Sequence, residues 1–373
     1  MKSPDVIIIG AGVIGCSLAF ELAKRGRSVL VIEKSKVGAE ASSAAAGMLS
    51  AQLSHAEGNL SPSFFRLLLE GRSLFPATAA ELKQETGIDI EFKDSGILYL
   101  LFSKNQFRAA RPRVRWQQKH SLPVEWLDPY QVRQKEPAVD RPILGAYYFP
   151  KDAQVDNVNL TLAYAKAARK RGVRFLPGHT VSRVLIEKGG AVGVRTTSGR
   201  ICRAPVIVNA CGAWAGFDRA LPFRVPVFPV KGQILTFKFR ELPFQTPVVS
   251  PDAAYCVPRG GNRLLVGTTA EFRRSDKKVT RKGIRQILSS VSKFTSCLEG
   301  HQVYGQWAGL RPCAPDHLPI LGKTPIKGLY AATGHFRDGI LLAPITAKLM
   351  AELIVSGKSS ISLTPFSLAR LLK

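Results

Sequence analysis

The stretch Asp5–Lys34, DVIIIGAGVIGCSLAFELAKRGRSVLVIEK, decides the fold. Asp5 to Ile9 is a short apolar run that stops at a glycine turn and reads as a buried strand. Apolar residues then recur at helical spacing at Ile14, Leu18 and Leu22, Gly26 is placed to end the helix, and Val29 to Ile32 is a second buried strand. Together they make one βαβ unit, which implies a parallel sheet. Gly10-x-Gly12-x-x-Gly15 follows the strand and opens the helix, the context in which this pattern predicts a dinucleotide site. Gly10 permits the tight turn, Gly12 lets the backbone approach a pyrophosphate, and Gly15 lets helix and strand pack closely. The phosphate then meets free N–H groups and the positive end of the helix dipole. Glu33, at the end of the second strand, is placed to accept hydrogen bonds from ribose hydroxyls and to repel a 2′-phosphate, which argues against NADP. The motif leaves FAD and NAD both open.

Next comes GAEASSAAAGMLSAQ, Gly38 to Gln52. Small residues over such a length let the chain run flat against a large ligand, and Ser42 and Ser43 can donate to phosphate oxygens; on composition alone the stretch equally reads as a tightly packed helix start. A helical pattern covers 64–82, and GIDIEFKDSGILYLLF is expected to fold as a hairpin turning at Asp94, Ser95 and Gly96. A further helix spans 157–171, a meander with turns at Gly189-Gly190 and Ser198-Gly199 leads to a buried strand at 206–210, and strand-like pieces dominate 226–267. The chain closes with an amphipathic helix over 344–355. The expected fold is α/β: a Rossmann-type lobe of residues 1–60, 150–220 and 303–373, interleaved with an α+β substrate lobe of 61–149 and 221–302 whose sheet is mainly antiparallel.

Hydrophobic residues make up 45% of the 373 and charged residues 21%, the balance of an ordinary globular protein. The six cysteines form no C-x-x-C pair and no zinc-like spacing, so no metal is expected and a reducing, cytoplasmic compartment is. The opening apolar run is broken by Gly10, Gly12 and Gly15, so it reads as a strand entering a turn and not as a signal peptide. No apolar stretch reaches the ~18 residues of a membrane span. The unusual quantity is charge: 53 Lys plus Arg against 27 Asp plus Glu gives +26. Such a field gathers anions and suits nucleic acid or anionic lipid, but the basic residues are spread along the chain, which reads as a solvated surface.

Several motifs, in order and nearly end to end, resemble the D-amino-acid-oxidase-type flavoproteins, specifically the glycine oxidases associated with thiamine biosynthesis. They are SAAAGML at Ser43 to Leu49, ETGIDI at Glu85 to Ile90, Gln154-Val155-Asp156, GAWAG at Gly212 to Gly216, PVKGQ at Pro229 to Gln233, YCVPR at Tyr255 to Arg259, WAGLRP at Trp307 to Pro312, and GHFRDGILLAP at Gly334 to Pro344. The resemblance implies non-covalent FAD. Val13 and Ile14 would grip it at the turn, Glu33 and Lys34 at the ribose, and Ser42, Ala46, Gly47 and Met48 near the pyrophosphate. Val181 would lie beside the adenine end, and the loop His335, Phe336, Arg337, Asp338, Gly339, Ile340 and Leu341 under the flavin ring. Main-chain donors near such a ring stabilise charge on its reduced form. For substrate the resemblance implies Arg311 and Tyr255 on a carboxylate, with Arg337 as a further contact; an Arg fork and a Tyr hydroxyl suit that group. The chain departs from the family at Cys313-Ala314, His317, Asp338 and Ala270-Glu271. Cys313 is offset from the position of a covalent flavin attachment.

The implied reaction passes the α-hydrogen of a small amino acid or amine to the flavin, leaving an imine, with oxygen as acceptor and a homo-oligomer as the implied assembly. No side chain is assigned as an obligatory base. A membrane-surface D-amino-acid dehydrogenase with a quinone acceptor, a tRNA-modifying flavoenzyme and a flavin-binding partner without turnover are the rival readings; the absence of a long basic run counts against nucleic acid.

Overall fold

A computed structural model describes residues 3–57, 61–218 and 221–372. The opening unit forms β1 (Val6–Ile9), α1 (Val13–Lys24) and β2 (Val29–Ile32), and β1 and β2 pair in parallel with every residue buried. Burial on both faces is why these strands are continuous apolar runs rather than alternating ones. Beyond β1 the sheet adds Val206–Asn209 and Leu329–Thr333 in parallel and ends at the antiparallel edge strand Ile320–Lys323; beyond β2 it adds Arg174–Leu176. One face, carrying Ile8 and Val31, packs with α1 and the helices Asn157–Lys170 and Ala343–Ser356. The opposite face, carrying Ile7 and Leu30, is covered by the antiparallel meander Val181–Glu187, Gly190–Thr196 and Ile201–Arg203 through Val184 and Val194. Each such aliphatic side chain contributes roughly 1.5–3 kcal/mol by leaving water.

A second sheet holds nine strands among the described residues. Its order is Glu271–Phe272, Phe228–Lys238, Arg263–Gly267, Tyr255–Arg259, Val248–Val249, Ile97–Leu101, Gly145–Phe149 and Glu125–Leu127, with Gly305–Cys313 also lying along Phe228–Lys238. Every pairing is antiparallel except that of Val248–Val249 with Ile97–Leu101. Gly305–Cys313 therefore belongs to this sheet, while the segments after it return to the first.

The chain differs from the sequence reading in three places. The run over 87–102 does not fold back on itself: Ile97–Leu101 pairs with Gly145–Phe149, and Lys93 only bridges to Gln154. The Asp89 carboxylate accepts the Glu91 N–H at 2.8 Å and Glu91 adopts φ 52°, which turns the chain away before a ladder can form. The helical pattern over 64–82 is two helices, Pro62–Ser73 and Phe75–Thr86, because Pro76 lacks an N–H and fits only a first turn. A helix at Lys104–Lys119 was not expected; it tolerates Pro112 and buries Ala110, Val114 and Gln117.

Candidate active site

A cavity of about 310 Å³ is lined by residues of both sheets. At one end stands the N-terminus of α1, whose N-cap Gly12 provides no side-chain hydrogen bond, so the first N–H groups are not all claimed from within. The three glycines have separate reasons to be there. A Cβ on Gly10, at φ +105°, would stand 2.5 Å from the Ala210 carbonyl oxygen of the neighbouring strand's end, and one on Gly15 would stand 2.0 Å from the Gly10 oxygen. Gly12 faces Ser42, whose Oγ accepts the Val13 N–H at 2.9 Å and so ties the small-residue segment to the helix start. The Glu33 carboxylate accepts the N–H of Ala11 at 2.8 Å and of Ser35 at 3.0 Å. It braces the glycine turn as well as facing the cavity. Lys34 Nζ pairs with Glu40 at 2.9 Å and lies 3.2 Å over the ring of Trp214, while Val181 closes this end.

The middle of the cavity is floored by Ala44 to Met48. Gly47, at φ +71°, runs so close to the Val155 carbonyl that a Cβ would stand 2.2 Å from it, and Gly309 presses as tightly on Ala44. The buried Arg259 donates to the Ala46 carbonyl and, at 2.7 Å, to Gln154 Oε1. Burial pulls the pKa of this guanidinium down to about 10. Arg259 was only the last letter of YCVPR in the sequence reading; what would single it out is a cation in a strand whose five residues are all buried.

Opposite lies the loop after Thr333. His335, Phe336, Arg337, Asp338, Gly339 and Ile340 all line the cavity; Leu341 does not, and packs into the helical core instead. Gly15 is likewise absent from the lining, its place being the contact of α1 with the glycine turn. Phe336 N–H donates to the Pro312 carbonyl at 2.8 Å and Cys313 bridges to His335, so this loop is stitched to the strand that carries Arg311. His335 Nε2 lies 3.1 Å from Thr346 Oγ1, and burial drives its pKa down to about 3, which keeps the imidazole neutral. Cys313 is buried outside the cavity lining, and burial pushes its thiol up to about 11.

At the far end Tyr255, Arg311 and Arg337 come together. Tyr255 and Gly267 are register partners, and the missing side chain at Gly267 makes room for the phenol: a Cβ there would stand 2.4 Å from its oxygen. Burial raises the Tyr255 pKa against the pull of Arg311 and a hydrogen bond to Thr268, so the group stays a neutral donor. Arg311 donates from Nη1 to the Thr269 carbonyl at 3.1 Å and from Nη2 to Thr268 Oγ1 at 2.9 Å. Among the described residues no carboxylate lies within 4.0 Å of it. A guanidinium held by neutral oxygens keeps its charge for an incoming anion. Among the described residues no cluster of three His, Cys, Asp or Glu suits a metal ion, and no helix is long and apolar enough to cross a membrane.

The sequence profile described as "FAD dependent oxidoreductase" matches residues 5–353. The glycine oxidase of Geobacillus kaustophilus is 36% identical over 98% of this chain and 97% of that protein; its crystal structure superposes with a TM-score of 0.94, covering 99% of both chains. The hydrogen cyanide synthase subunit HcnC of Pseudomonas aeruginosa is 32% identical over 99% of this chain and 96% of that one. The bifunctional protein ThiO/ThiG of Trichormus variabilis is 36% identical over 99% of this chain, which spans 55% of that longer protein. A βαβ unit with an open helix end, a cavity shared by two sheets and a profile match over nearly the whole chain lead to one conclusion: this chain belongs to the FAD-dependent oxidoreductase family, with a fold of the glycine oxidase type.

Proposed function

We propose that the protein oxidises glycine, or another small amino acid or amine, to an imine, with molecular oxygen as acceptor and hydrogen peroxide as the second product, in supply of thiamine thiazole synthesis. The residues present fit FAD. At the start of α1 the N-cap carries no side-chain acceptor and Ser42 Oγ takes the Val13 N–H, which leaves the next N–H groups for a pyrophosphate, and Gly12 and Gly47 put no side chain into the cavity they line. Val13, Ile14, Glu33, Lys34, Ser42, Ala46 to Met48 and Val181 would hold its nucleotide portion, and the loop from His335 to Ile340 its ring. Bound FAD supplies the acceptor for two electrons.

The observation that carries the reading is Arg311, which no carboxylate among the described residues pairs with and which faces the cavity beside the neutral phenol of Tyr255. These two groups hold a substrate carboxylate and so fix the α-carbon, with Arg337 as a further positive contact. The amino nitrogen gives up a proton and the α-hydrogen leaves with its electron pair, forming the C=N bond. Orientation and charge complementarity carry the rate, and the neutral His335 adds no competing cation. The relatives named glycine oxidase and ThiO/ThiG support glycine and the thiamine connection. We read the functional division as a nucleotide lobe around the six-stranded sheet and a substrate lobe around the nine-stranded one, and the assembly as a cytoplasmic homo-oligomer, which light scattering on the holoprotein checks.

The test is a screen of glycine, sarcosine and D-alanine for peroxide release by the purified holoprotein, alongside Arg311→Ala. The variant is expected to lose at least about tenfold in kcat/KM. Unchanged affinity of the variant for acetate would overturn the placement of the substrate, and amine-dependent dye reduction without oxygen uptake would turn the reading toward a quinone-linked dehydrogenase.

A further inference from the structure

Beneath Arg311 lies a partly buried polar network that reaches the cavity lining only through Thr268. Thr268 and Thr269 clamp the guanidinium, and each is itself held. Thr268 Oγ1 donates to the Gln233 carbonyl at 3.1 Å. Thr269 Oγ1 accepts the Gln233 N–H at 3.1 Å and donates to Glu271 Oε1 at 3.2 Å. The same Glu271 oxygen accepts from Gln233 Nε2 at 2.6 Å, and Gln233 Oε1 accepts the Thr280 N–H at 2.8 Å. The other Glu271 oxygen stands 3.9 Å from Lys231 Nζ, which bonds to Asp276 at 2.8 Å. Gln233 is fully buried, and Lys231 is 1% exposed. Even the adjoining helix makes room: a Cβ on Gly283 would stand 2.4 Å from the Gln233 amide.

A lysine and a glutamine are costly to bury and are tolerated only when their polar atoms are partnered. Here the partners converge on the two residues that hold Arg311, Glu271 on the Thr269 hydroxyl and Gln233 on both threonines. We propose that Glu271, seated by Gln233 and Lys231, is a positioning residue that sets the bearing of Arg311 through the Thr268–Thr269 clamp; the proposal rests on Arg311 being the carboxylate holder. The device keeps the network's carboxylate one residue away from the guanidinium. Direct pairing would neutralise the charge meant for substrate, whereas a carbonyl and a hydroxyl orient it without cancelling it.

The experiment compares Glu271→Ala, Glu271→Gln and Arg311→Ala as FAD-loaded proteins, reading acetate affinity from the perturbed flavin absorbance and steady-state kinetics with glycine. Glu271→Ala is expected to weaken acetate and raise KM by about tenfold while kcat stays within about twofold. Glu271→Gln is expected to restore both, since its amide oxygen still accepts from Thr269 and Gln233. Normal acetate affinity in Glu271→Ala beside a loss in Arg311→Ala overturns the positioning role alone. Glu271→Gln as impaired as Glu271→Ala overturns it too, by making charge and not hydrogen-bond geometry the cause. No loss in Arg311→Ala overturns the reading beneath it.

Discussion

The guanidinium of Arg311 rests on the backbone of Gly232: a Cβ on that glycine would stand 2.4 Å from each terminal nitrogen. The obstacle is the far end of a flexible side chain, so the guanidinium yields and the strand does not. Gly232→Ala is expected to fold and load FAD, with Tm within about 4 °C of the parent. Its KM for glycine is expected to rise by about tenfold or more. Kinetics beside a thermal melt check this; equal KM values would show that Arg311 has another seat from which it works.

Gly15 presents the opposite case. Its Cβ would stand 2.0 Å from the Gly10 carbonyl oxygen, which is backbone in the glycine turn and cannot rotate away. Gly15→Ala is expected to force α1 off the turn at a cost of ~1–3 kcal/mol and to emerge with substoichiometric FAD. The ratio of flavin to protein absorbance reads this directly, and a fully loaded variant of parental stability would contradict it.

The buried His335 makes stability depend on pH. The unfolded chain binds a proton on this side chain near pH ~6.5, whereas in the folded chain burial delays uptake to about 3. Its contribution is therefore complete above pH ~6.5 and lost as pH falls toward the folded value, on the order of 2 kcal/mol between pH ~7 and ~5. Denaturant titrations at those two pH values are expected to show His335→Gln losing that much less than the parent. Identical losses would mean that His335 is not the group responsible.

Arg259→Met strips the Ala46 carbonyl and Gln154 Oε1 of a buried donor. Unsatisfied groups of this kind cost ~1–3 kcal/mol, and because Ala46 lies on the cavity floor the loss is expected to fall on FAD affinity as well as on Tm. Titration of apoprotein with FAD measures it; unaltered affinity would make Arg259 a stability residue only.

What the sequence discloses is what its neighbours in the chain determine. Gly10 to Gly15 and Glu33 lie within one βαβ unit, so spacing and apolar pattern are enough to read them. The clamp on Arg311 is of another kind: its Thr269 contact spans 42 positions and exists because Val230 stands opposite Arg311 in the ladder, a register that no local pattern states. Resemblance could nominate Arg311 and Tyr255, but not the Lys231–Glu271 network behind them. The Lys104–Lys119 helix escaped notice because its buried face is only Ala110, Val114 and the polar Gln117, with a proline between. The hairpin expected at Asp94–Gly96 failed because strand-forming residues say that a strand exists, not with what it pairs.

The hydrogen bond from Phe336 to Pro312, next to Arg311, and the bridge between Cys313 and His335 tie the loop proposed to lie under the flavin to the group proposed to grip a carboxylate. Leu53, Val249 and Ala253, which line the same cavity, come from other segments, and Leu53 and Val249 share an apolar cluster with Tyr255. On that proposal substrate handedness and substrate bulk fall to different parts of the chain: exchanging Leu53 or Val249 is expected to widen or narrow the range of side chains accepted while leaving unchanged which face of the α-carbon is presented for oxidation.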